Sequence, residues 1–258
     1  MQTDFAVILA AGRGTRMKST LAKVLHPLLG RPMVAHVAAS AREAGLQPVL
    51  VVNHQEDAVR DAFAGADVLF ARQAQTRGTG DAVASALTAL PDSGTVVVMA
   101  GDAPLLKSET IAALRSAHGD AAVTVLTTQL DDGAHYGRLE RDDQGKPWRI
   151  VEAKEASPEQ LAIGEINTGL YCFDIAWLRD VLPTLQPHAH KDEIYLTDVV
   201  ELAAAEGRCR VQVHGDFSEV QGINDRYELA LAREALQARV SARHARNGVD
   251  FEQISSVL

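Results

Sequence analysis

The chain has 258 residues, of which 47% are hydrophobic, and its formal net charge at pH 7 is −9. This length allows one large α/β domain or two small ones with a sizeable buried core. The negative charge argues against a nucleic acid or a membrane surface as the main partner, although small anions remain possible. The two cysteines lack metal-ligand spacing, and the sequence shows neither a signal peptide nor a membrane-length apolar run. We therefore expect a cytoplasmic protein.

Residues 5–23 have the pattern of a strand followed by a phosphate-binding loop. Residues 5–9 form a short apolar run without helical periodicity, which predicts a strand buried on both faces of a parallel sheet. Small residues follow, so that backbone N–H groups can approach an anion that a Cβ atom would exclude. Basic residues then supply charge for phosphates. The small residues are Ala10, Ala11, Gly12 and Gly14, and the basic residues are Arg13, Arg16, Lys18 and Lys23.

Two common phosphate-binding motifs do not fit this stretch. The P-loop requires Gly-Lys followed by Ser or Thr, and the dinucleotide motif requires a third glycine where Met17 stands. The alternative without a bound phosphate is a tight strand-to-helix turn with exposed basic residues.

Strand and helix patterns alternate through the first half of the chain, which predicts an α/β fold with a doubly wound, mostly parallel sheet and ligands at the carboxyl ends of its strands. After a helix opened by Pro32 and ended by Gly45, we predict helices at residues 56–64, 81–90 and 109–117. Further predicted strands are residues 49–52, 68–71, 96–100 and 122–128.

The second half departs from this alternation. Two alternating runs flank turn residues 142–147 and predict a small inserted hairpin. Ser157 starts a helix, and GEINTGLYCFD predicts a strand. The remaining predicted elements are helices at residues 175–181, 194–206 and 225–243 and a strand at residues 211–214.

Polar residues in the loops after the strands are the candidates for chemistry. The amide of Gln73 offers a donor and an acceptor to a nucleobase edge, although Thr79 or Asp81 could instead simply cap the next helix. Asp102 directly follows the buried run at residues 96–100, where a carboxylate suits Mg²⁺ among phosphates. A helix N-cap is the alternative for Asp102, but Ser108 is closer to the next helix.

Sugar hydroxyls would suit another group of residues. Asn167 and Thr168 in GEINTG are compact hydrogen-bonding groups, and Glu152 is an acceptor. Taken alone, Glu152 is more typical of a solvated strand. Asn224 precedes the last helix, where an N-cap role competes with any other.

These motifs occur together in the order and near the spacing of one known family. They are LAAGRGTRM, Lys23 in AKVLHP, QAQTRGTG, AGD, YGR, IVEAKEA, GEINTG, DEIYLTD and EVQGIND. The chain resembles, over nearly its whole length, the N-terminal uridylyltransferase domain of the bacterial bifunctional N-acetylglucosamine-1-phosphate uridylyltransferase and glucosamine-1-phosphate acetyltransferase. The resemblance implies a Rossmann-like sheet of the nucleotide-diphospho-sugar transferase type.

The resemblance also implies a reaction and a set of site residues. UTP and N-acetylglucosamine-1-phosphate would give UDP-N-acetylglucosamine, a peptidoglycan precursor, and pyrophosphate with Mg²⁺. The implied catalytic residues are Arg16, Lys23 and Asp102, with Asp102 and Asn224 as metal ligands. The implied nucleotide-binding residues are Leu9, Ala10, Ala11, Gly12, Gln73, Gly78, Thr79, Ala100 and Gly101. The implied sugar-binding residues are Gly137, Glu152, Asn167, Thr168, Tyr195 and Thr197.

The chain departs from the family in two ways. Ala100 stands where the family usually carries Tyr before Gly-Asp, which puts the specificity in doubt. We expect residues 1–224 to form the nucleotidyltransferase domain and residues 225–258 a terminal helix and tail, with no hexapeptide-repeat acetyltransferase domain. Since that domain largely carries trimerisation in the family, a monomer or weak oligomer is expected.

Three other readings compete with this one. The first is a related nucleotidyltransferase for glucose-1-phosphate or another nucleotide. The second, a non-catalytic nucleotide-sugar-binding protein, would have lost the metal ligands or the lysine, which are present. The third, a glycosyltransferase, would need an Asp-x-Asp motif that GDAPLL lacks.

Overall fold

The computed structural model describes residues 4–188, 192–252 and 254. Its strands are β1 (Asp4–Leu9), β2 (Pro27–Leu28), β3 (Arg31–Pro32), β4 (Leu46–Val52), β5 (Leu69–Arg72), β6 (Thr95–Ala100), β7 (Val123–Gln129), β8 (Arg138–Arg141), β9 (Pro147–Val151), β10 (Glu165–Asp174) and β11 (Cys209–His214). Its α-helices are α1 (Met33–Glu43), α2 (Glu56–Asp61), α3 (Thr79–Ala86), α4 (Ser108–His118), α5 (Pro158–Leu161), α6 (Ile175–Val181), α7 (Asp198–Ala205), α8 (Phe217–Val220) and α9 (Arg226–Arg246). Short 3₁₀ turns lie at Thr15–Met17, Lys23–Leu25, Leu87–Ala89 and Leu182–Thr184.

One mixed sheet organises the fold, with the strand order β11-β7-β10-β6-β1-β4-β5. All neighbours on this path run parallel except β10, which is antiparallel to both β6 and β7. The hairpin of β8 and β9 joins the sheet through β10. The predicted α/β fold, with a mixed, mostly parallel sheet and a small inserted hairpin, is therefore confirmed.

Both faces of the sheet are covered, as the apolar strand patterns require. Successive side chains of a strand point to opposite faces. Val7 accordingly joins a core with α3, α6 and α7, whereas Ala6 and Ile8 join a second core with α1, α2 and α4. The buried stretches of the central strands β1, β4 and β6 are therefore apolar at successive positions, because each face of the sheet packs against helices.

A third, smaller core lies under α9. Leu229 and Leu236 of that helix pack with Met17, Leu105 and Ile223, all of which are buried. These last three residues belong to three different loops at the carboxyl edge of the sheet. The terminal helix therefore fixes the loops that carry the candidate site.

Several predicted helix boundaries are wrong, and tertiary contacts explain the largest difference. Residues 194–197, predicted to be helical, are not, and α7 begins only at Asp198. The Ile194 N–H donates to the Arg77 carbonyl at 2.7 Å, and its carbonyl accepts from the Gly80 N–H at 2.9 Å. These bonds hold Ile194 against the loop before α3. The helix predicted at residues 81–90 begins earlier, at Thr79, and ends at Ala86 in a 3₁₀ turn.

Within the described ranges, no helix combines the length and apolar character that a membrane crossing requires. Residues 253 and 255–258 of the predicted C-terminal tail lie outside the described residues.

Candidate active site

The loops after β1, β5 and β6 meet the segment between β11 and α9 at the carboxyl edge of the sheet. They enclose a large cleft of about 440 Å³ and a small cleft of about 280 Å³. Leu9, Gly12 and Asp102 line both, so the two clefts are continuous. The large cleft is further lined by Ala11, Gln73, Thr76, Gly78, Thr79, Ala82, Ala100, Glu152, Lys154, Glu193 and Tyr195. The small cleft is further lined by Gly14, Thr15, Arg16, Lys23, Val24 and Asn224.

Charged and amide groups converge in the small cleft. The Lys23 ammonium forms an ion pair with Asp102 and donates to Asn224 Oδ1 at 2.9 Å. The Arg16 guanidinium donates to the same Oδ1 at 2.7 Å. Three distant parts of the sequence therefore meet at one point. The predicted grouping of Arg16, Lys23, Asp102 and Asn224 is present, whereas Arg13 and Lys18 are exposed and line neither cleft.

The oxygens in the small cleft fit a divalent cation. Asp102 and Asn224 offer a carboxylate and an amide oxygen, the hard ligands that Mg²⁺ prefers, and both already contact the Lys23 ammonium. Neither residue is an N-cap, since Lys107 caps α4 and Asp225 caps α9. Their oxygens are therefore not used at a helix terminus.

His135 fixes the orientation of the Asn224 amide together with a backbone carbonyl. Asn224 Nδ2 lies 3.2 Å from His135 Nε2 and donates to the Gly222 carbonyl at 2.9 Å. Burial, followed by the charge of Arg16, lowers the pKa of His135, which favours the neutral ring that can accept this bond. The amide oxygen consequently faces Lys23 and Arg16.

Two glycines of the first loop differ in what surrounds them. A Cβ atom on Gly14 would overlap the Lys23 side chain, and Gly14 has a φ of +64°. A Cβ atom on Gly12 would meet nothing within 4 Å. Packing of the protein therefore requires Gly14 to be glycine, whereas the space beside Gly12 belongs to the cleft.

Two of the predicted nucleotide-binding residues, Ala10 and Gly101, line neither cleft, and their backbone N–H groups are hydrogen-bonded within the fold. The Ala10 N–H donates to the Val51 carbonyl and the Gly101 N–H to the Leu9 carbonyl, both at 2.9 Å. These two amides are hydrogen-bonded at the sheet edge and are not free to bind an anion. The sequence pattern had predicted instead that the Ala10 N–H would approach an anion. Ala11, Gly12 and Ala100, by contrast, line the large cleft.

Gln73 presents its amide to the large cleft in a defined orientation. The side chain is buried, and its Nε2 donates to Asp81 Oδ2 at 2.8 Å and to the Gly78 carbonyl at 3.1 Å. The donor of the amide is therefore already used, and the carbonyl oxygen is what Gln73 can offer a ligand. The alternative in which Thr79 or Asp81 caps α3 is wrong, because the N-cap is Gly78 and no side chain bonds to the helix start.

The far end of the large cleft carries a half-buried carboxylate and a tyrosine. The Thr197 hydroxyl donates to Glu152 Oε1 at 3.0 Å. Burial raises the pKa of Glu152, although the Thr197 bond acts in the opposite direction. Tyr195 packs on His188, with ring centroids 4.5 Å apart. Burial opposes a charge on His188, but its contact with Asp198 and the nearby Glu155 raise its pKa.

The three other predicted sugar-binding residues do not line either cleft. Asn167 and Thr168 lie in a bulge of β10, where Asn167 donates to the Tyr171 hydroxyl at 2.6 Å and Thr168 to the Leu126 carbonyl at 2.7 Å. The Gly137 carbonyl accepts from the Asn167 N–H at 2.9 Å. The side chains of Asn167 and Thr168 therefore stabilise the strand.

Sequence reasoning missed some of the lining residues. Thr76, Ala82 and Glu193 gave no signal beyond their nearness to QAQTRGTG and DEIYLTD. Lys154 also lines the cleft, and its ammonium lies 3.6 Å from a carboxylate oxygen of Glu193. The alternation of β9 ends at Val151, so no pattern fixed the direction of the residues beyond it.

Comparison with known proteins gives this geometry a family. Residues 6–211 match the family described as "MobA-like NTP transferase domain". The chain is 46% identical to "Bifunctional protein GlmU" of Pelobacter propionicus over 97% of its own length and 56% of the relative's length. It is 46% identical to the protein of the same name from Geobacter metallireducens and 43% identical to that from Bacillus velezensis, over 52% and 56% of their lengths.

The chain thus spans about half the length of the curated relatives that it matches. The resemblance drawn from its motifs is confirmed by these matches. The match over residues 6–211 covers the β1 loop, Asp102 and the lining of the large cleft, and the chain belongs to the family of MobA-like NTP transferase domains.

Proposed function

We propose that the chain transfers a uridylyl group from UTP to N-acetylglucosamine-1-phosphate, giving UDP-N-acetylglucosamine and pyrophosphate. The observation that carries the proposal is the convergence of Lys23, Asp102 and Asn224 beside the open space at Gly12. Cationic groups, hard oxygen ligands and a glycine without a packing role are what a bound nucleoside triphosphate needs. The match to a family of NTP transferase domains supports the same type of reaction.

The nucleotide would occupy the large cleft. Uracil carries an N–H between two carbonyl groups, and the carbonyl oxygen of Gln73 is the acceptor that this N–H needs. Gly78 and Thr79 would line the base, and the segment from Leu9 to Gly12 would lie along the nucleotide. Ala100 and Gly101 would close the floor of the cleft.

The phosphates would lie across the small cleft. Asp102 and Asn224 would hold Mg²⁺, which when bound supplies neutralisation of phosphate charge. Arg16 and Lys23 would then contact phosphate oxygens instead of Asn224. Both are charged and already point to this place.

The sugar phosphate would bind at the end of the large cleft that carries Glu152 and Tyr195. Glu152, oriented by Thr197, would accept a hydrogen bond from a sugar hydroxyl. Asn167 and Thr168 of β10, together with Gly137 directly before β8, would support this wall. Ala100 leaves room where a larger side chain would narrow the cleft.

Catalysis would require no covalent enzyme intermediate. A phosphate oxygen of the sugar phosphate attacks the α-phosphorus of UTP, the new P–O bond forms, and the bond to the bridging oxygen breaks to release pyrophosphate. The chain aligns the two anions and stabilises the added charge with Lys23 and Arg16.

The direct test is pyrophosphate release by the purified chain with UTP and Mg²⁺. Three acceptors should be compared: N-acetylglucosamine-1-phosphate, glucosamine-1-phosphate and glucose-1-phosphate. We expect the highest kcat/KM with the first and no release in excess EDTA. Preference for glucose-1-phosphate would assign the chain to a different sugar class, and no release with any acceptor would overturn the proposal.

Gly12→Ala should weaken UTP binding without destabilising the fold. The added methyl group has space in the protein itself but would overlap a phosphate lying along the loop. Overpacking of this kind costs about 1–3 kcal/mol, which corresponds to a loss of about 5- to 150-fold in affinity. Calorimetric titration with UTP and urea unfolding would measure the two effects.

Gly215→Ala is the matched control for Gly12→Ala. Gly215 also lacks a positive φ, and its Cβ atom would also meet nothing within 4 Å, but it lines neither cleft. UTP affinity should be unchanged in this variant. Equal affinity in the Gly12 variant would mean that no ligand occupies the space beside that residue.

A further inference from the structure

The two candidate metal ligands come from separate loops whose relative position needs an explanation. Asp102 follows β6, and Asn224 lies between α8 and α9. The loops touch directly, since the Ile223 N–H donates to the Asp102 carbonyl at 2.8 Å. A Cβ atom on Gly222 would lie only 3.2 Å from Asp102 Oδ1. Small movements of one loop would therefore change the distance between the two ligands.

A buried carboxylate joins the supports of these loops. Glu219 belongs to α8, shortly before Gly222, and is only 1% exposed. Its Oε1 accepts from the Thr110 hydroxyl and from the Lys107 N–H at 3.2 Å, and its Oε2 accepts from the Lys107 ammonium at 2.5 Å. Lys107 and Thr110 lie at the N-terminus of α4, which is the helix that follows the Asp102 loop.

The hydrogen bonds of Glu219 fix α8 against the start of α4 more tightly than an apolar contact would. A carboxylate without partners at 1% exposure would be costly, so α8 is held where all of these donors can reach it. All three bonds come from Lys107, the N-cap residue of α4, and Thr110 in its first turn, and the helix N-terminus adds a favourable field for the negative charge. Two further titratable groups lie nearby: His214 Nε2 is 3.6 Å from Oε2, and Asp216 is 4.0 Å from the Lys107 ammonium.

We infer that Glu219 is a positioning residue for the metal site. It locks α8 to the start of α4 and thereby sets the approach of Asn224 to Asp102. The inference rests on the proposed function, because it gives the two ligands a common cation. Glu219 lines neither cleft, so its effect on the metal site must pass through Asn224 and Asp102.

The test is the gain in UTP affinity that Mg²⁺ confers, measured by calorimetric titration of the whole chain in Mg²⁺ and in EDTA. UTP alone is not turned over, so the measurement reports binding and not activity. In Glu219→Gln, one amide oxygen can still accept from α4, but the NH₂ group would oppose the Lys107 ammonium. Loss of a residue that orients metal ligands typically costs about 10–100-fold in metal affinity. We therefore expect the Mg²⁺-dependent gain to fall about 10-fold, with UTP affinity in EDTA unchanged.

Glu165→Gln is the matched control, since it neutralises another buried carboxylate. Glu165 is 7% exposed and is bonded by Thr127 and Arg141, away from both metal ligands. This variant should keep the full Mg²⁺-dependent gain, whatever its loss of stability in urea. Thr110→Val, which removes one donor to Glu219, should lower the gain in the same direction and replaces Glu219→Gln if that variant does not fold.

The outcomes separate the inference from the proposed function. A wild-type chain whose UTP affinity does not depend on Mg²⁺ would overturn the assignment of the two metal ligands and with it the positioning role, whereas uridylyl transfer itself is tested by pyrophosphate release. A wild-type chain with a clear gain that Glu219→Gln and Thr110→Val retain in full would overturn the positioning role alone. An equal loss of gain in Glu165→Gln would also overturn it, because the effect would then follow from stability.

Discussion

Asp102→Asn is expected to lower turnover at least about 100-fold while leaving the fold intact, since it removes charge stabilisation in the transition state. Asparagine keeps the shape and one oxygen, but it lacks the negative charge that holds a cation at this position. It also ends the ion pair with Lys23. Lys23→Ala should cause a loss of similar size because it removes the ammonium directed at the phosphates. Pyrophosphate release at saturating UTP would measure both variants.

A second aspartate on the same strand system provides the control. Asp4 lies at the opposite end of β1 from the site and forms an ion pair with Arg115. The Asp4 side chain is 27% exposed, against 21% for Asp102, so the two carboxylates are comparably accessible. Asp4→Asn should cost about 1 kcal/mol or less in stability, as partly exposed pairs do, and should keep full turnover. If Asp102→Asn and Lys23→Ala both retained turnover, the proposed mechanism would be wrong.

The location of Asp102 was predictable from the sequence because local pattern and sheet geometry agree there. Residues 96–100 are apolar without helical period, which fixes a buried strand, and the next polar residue must stand at its carboxyl end. The same reasoning placed Gly12 after residues 5–9. Since parallel strands end at one edge, both loops were expected at that edge, whereas the pairing of β1 with β6 that brings them together is seen only in the structure.

The wall formed by residues 194–197 was not predictable in this way. Its apolar spacing continues that of α7, but hydrogen bonds of Ile194 with Arg77 and Gly80 and of Leu196 with Thr79 hold it against the loop before α3. Such bonds join residues more than 100 positions apart and leave no periodic signal. The same limit applies to Asn167, whose amide is used inside a bulge of β10 that depends on its pairing with β7.

The glycines of the site illustrate a further limit of sequence reasoning. Gly12 and Gly14 look equivalent in LAAGRGTRM, yet one faces the cleft and the other packs against Lys23. Two glycines in this motif indicate that some group lies close to the backbone, but the sequence does not show whether that group is a ligand or a side chain of the protein. Only the surroundings of each missing Cβ atom separate a ligand-facing glycine from a structural one.

Gly78→Ala should damage stability and nucleotide binding together. Gly78 has a φ of +95°, and its Cβ atom would overlap the Ile194 carbonyl oxygen and lie 2.9 Å from the Ile194 nitrogen. That backbone cannot move away easily, because Ile194 is bonded on both sides and the Leu196 N–H donates to Thr79 Oγ1 at 3.0 Å. Strain of this kind costs about 1–3 kcal/mol, and relief would displace the wall that carries Tyr195. We expect a loss of about 2 kcal/mol or more in urea unfolding and markedly weaker UTP binding.

Gly65→Ala separates backbone strain from the loss of the wall. Gly65 also has a positive φ, +77°, but it is exposed and its Cβ atom would meet nothing within 4 Å. Only the left-handed conformation is penalised there, at about 1–2 kcal/mol, so UTP affinity should stay at the wild-type value. The contact with Ile194 predicts that Gly78→Ala loses more stability than Gly65→Ala and is alone in losing affinity. Equal behaviour of the two variants would show that the segment around Ile194 yields freely and that the rigidity of this wall does not contribute to nucleotide binding.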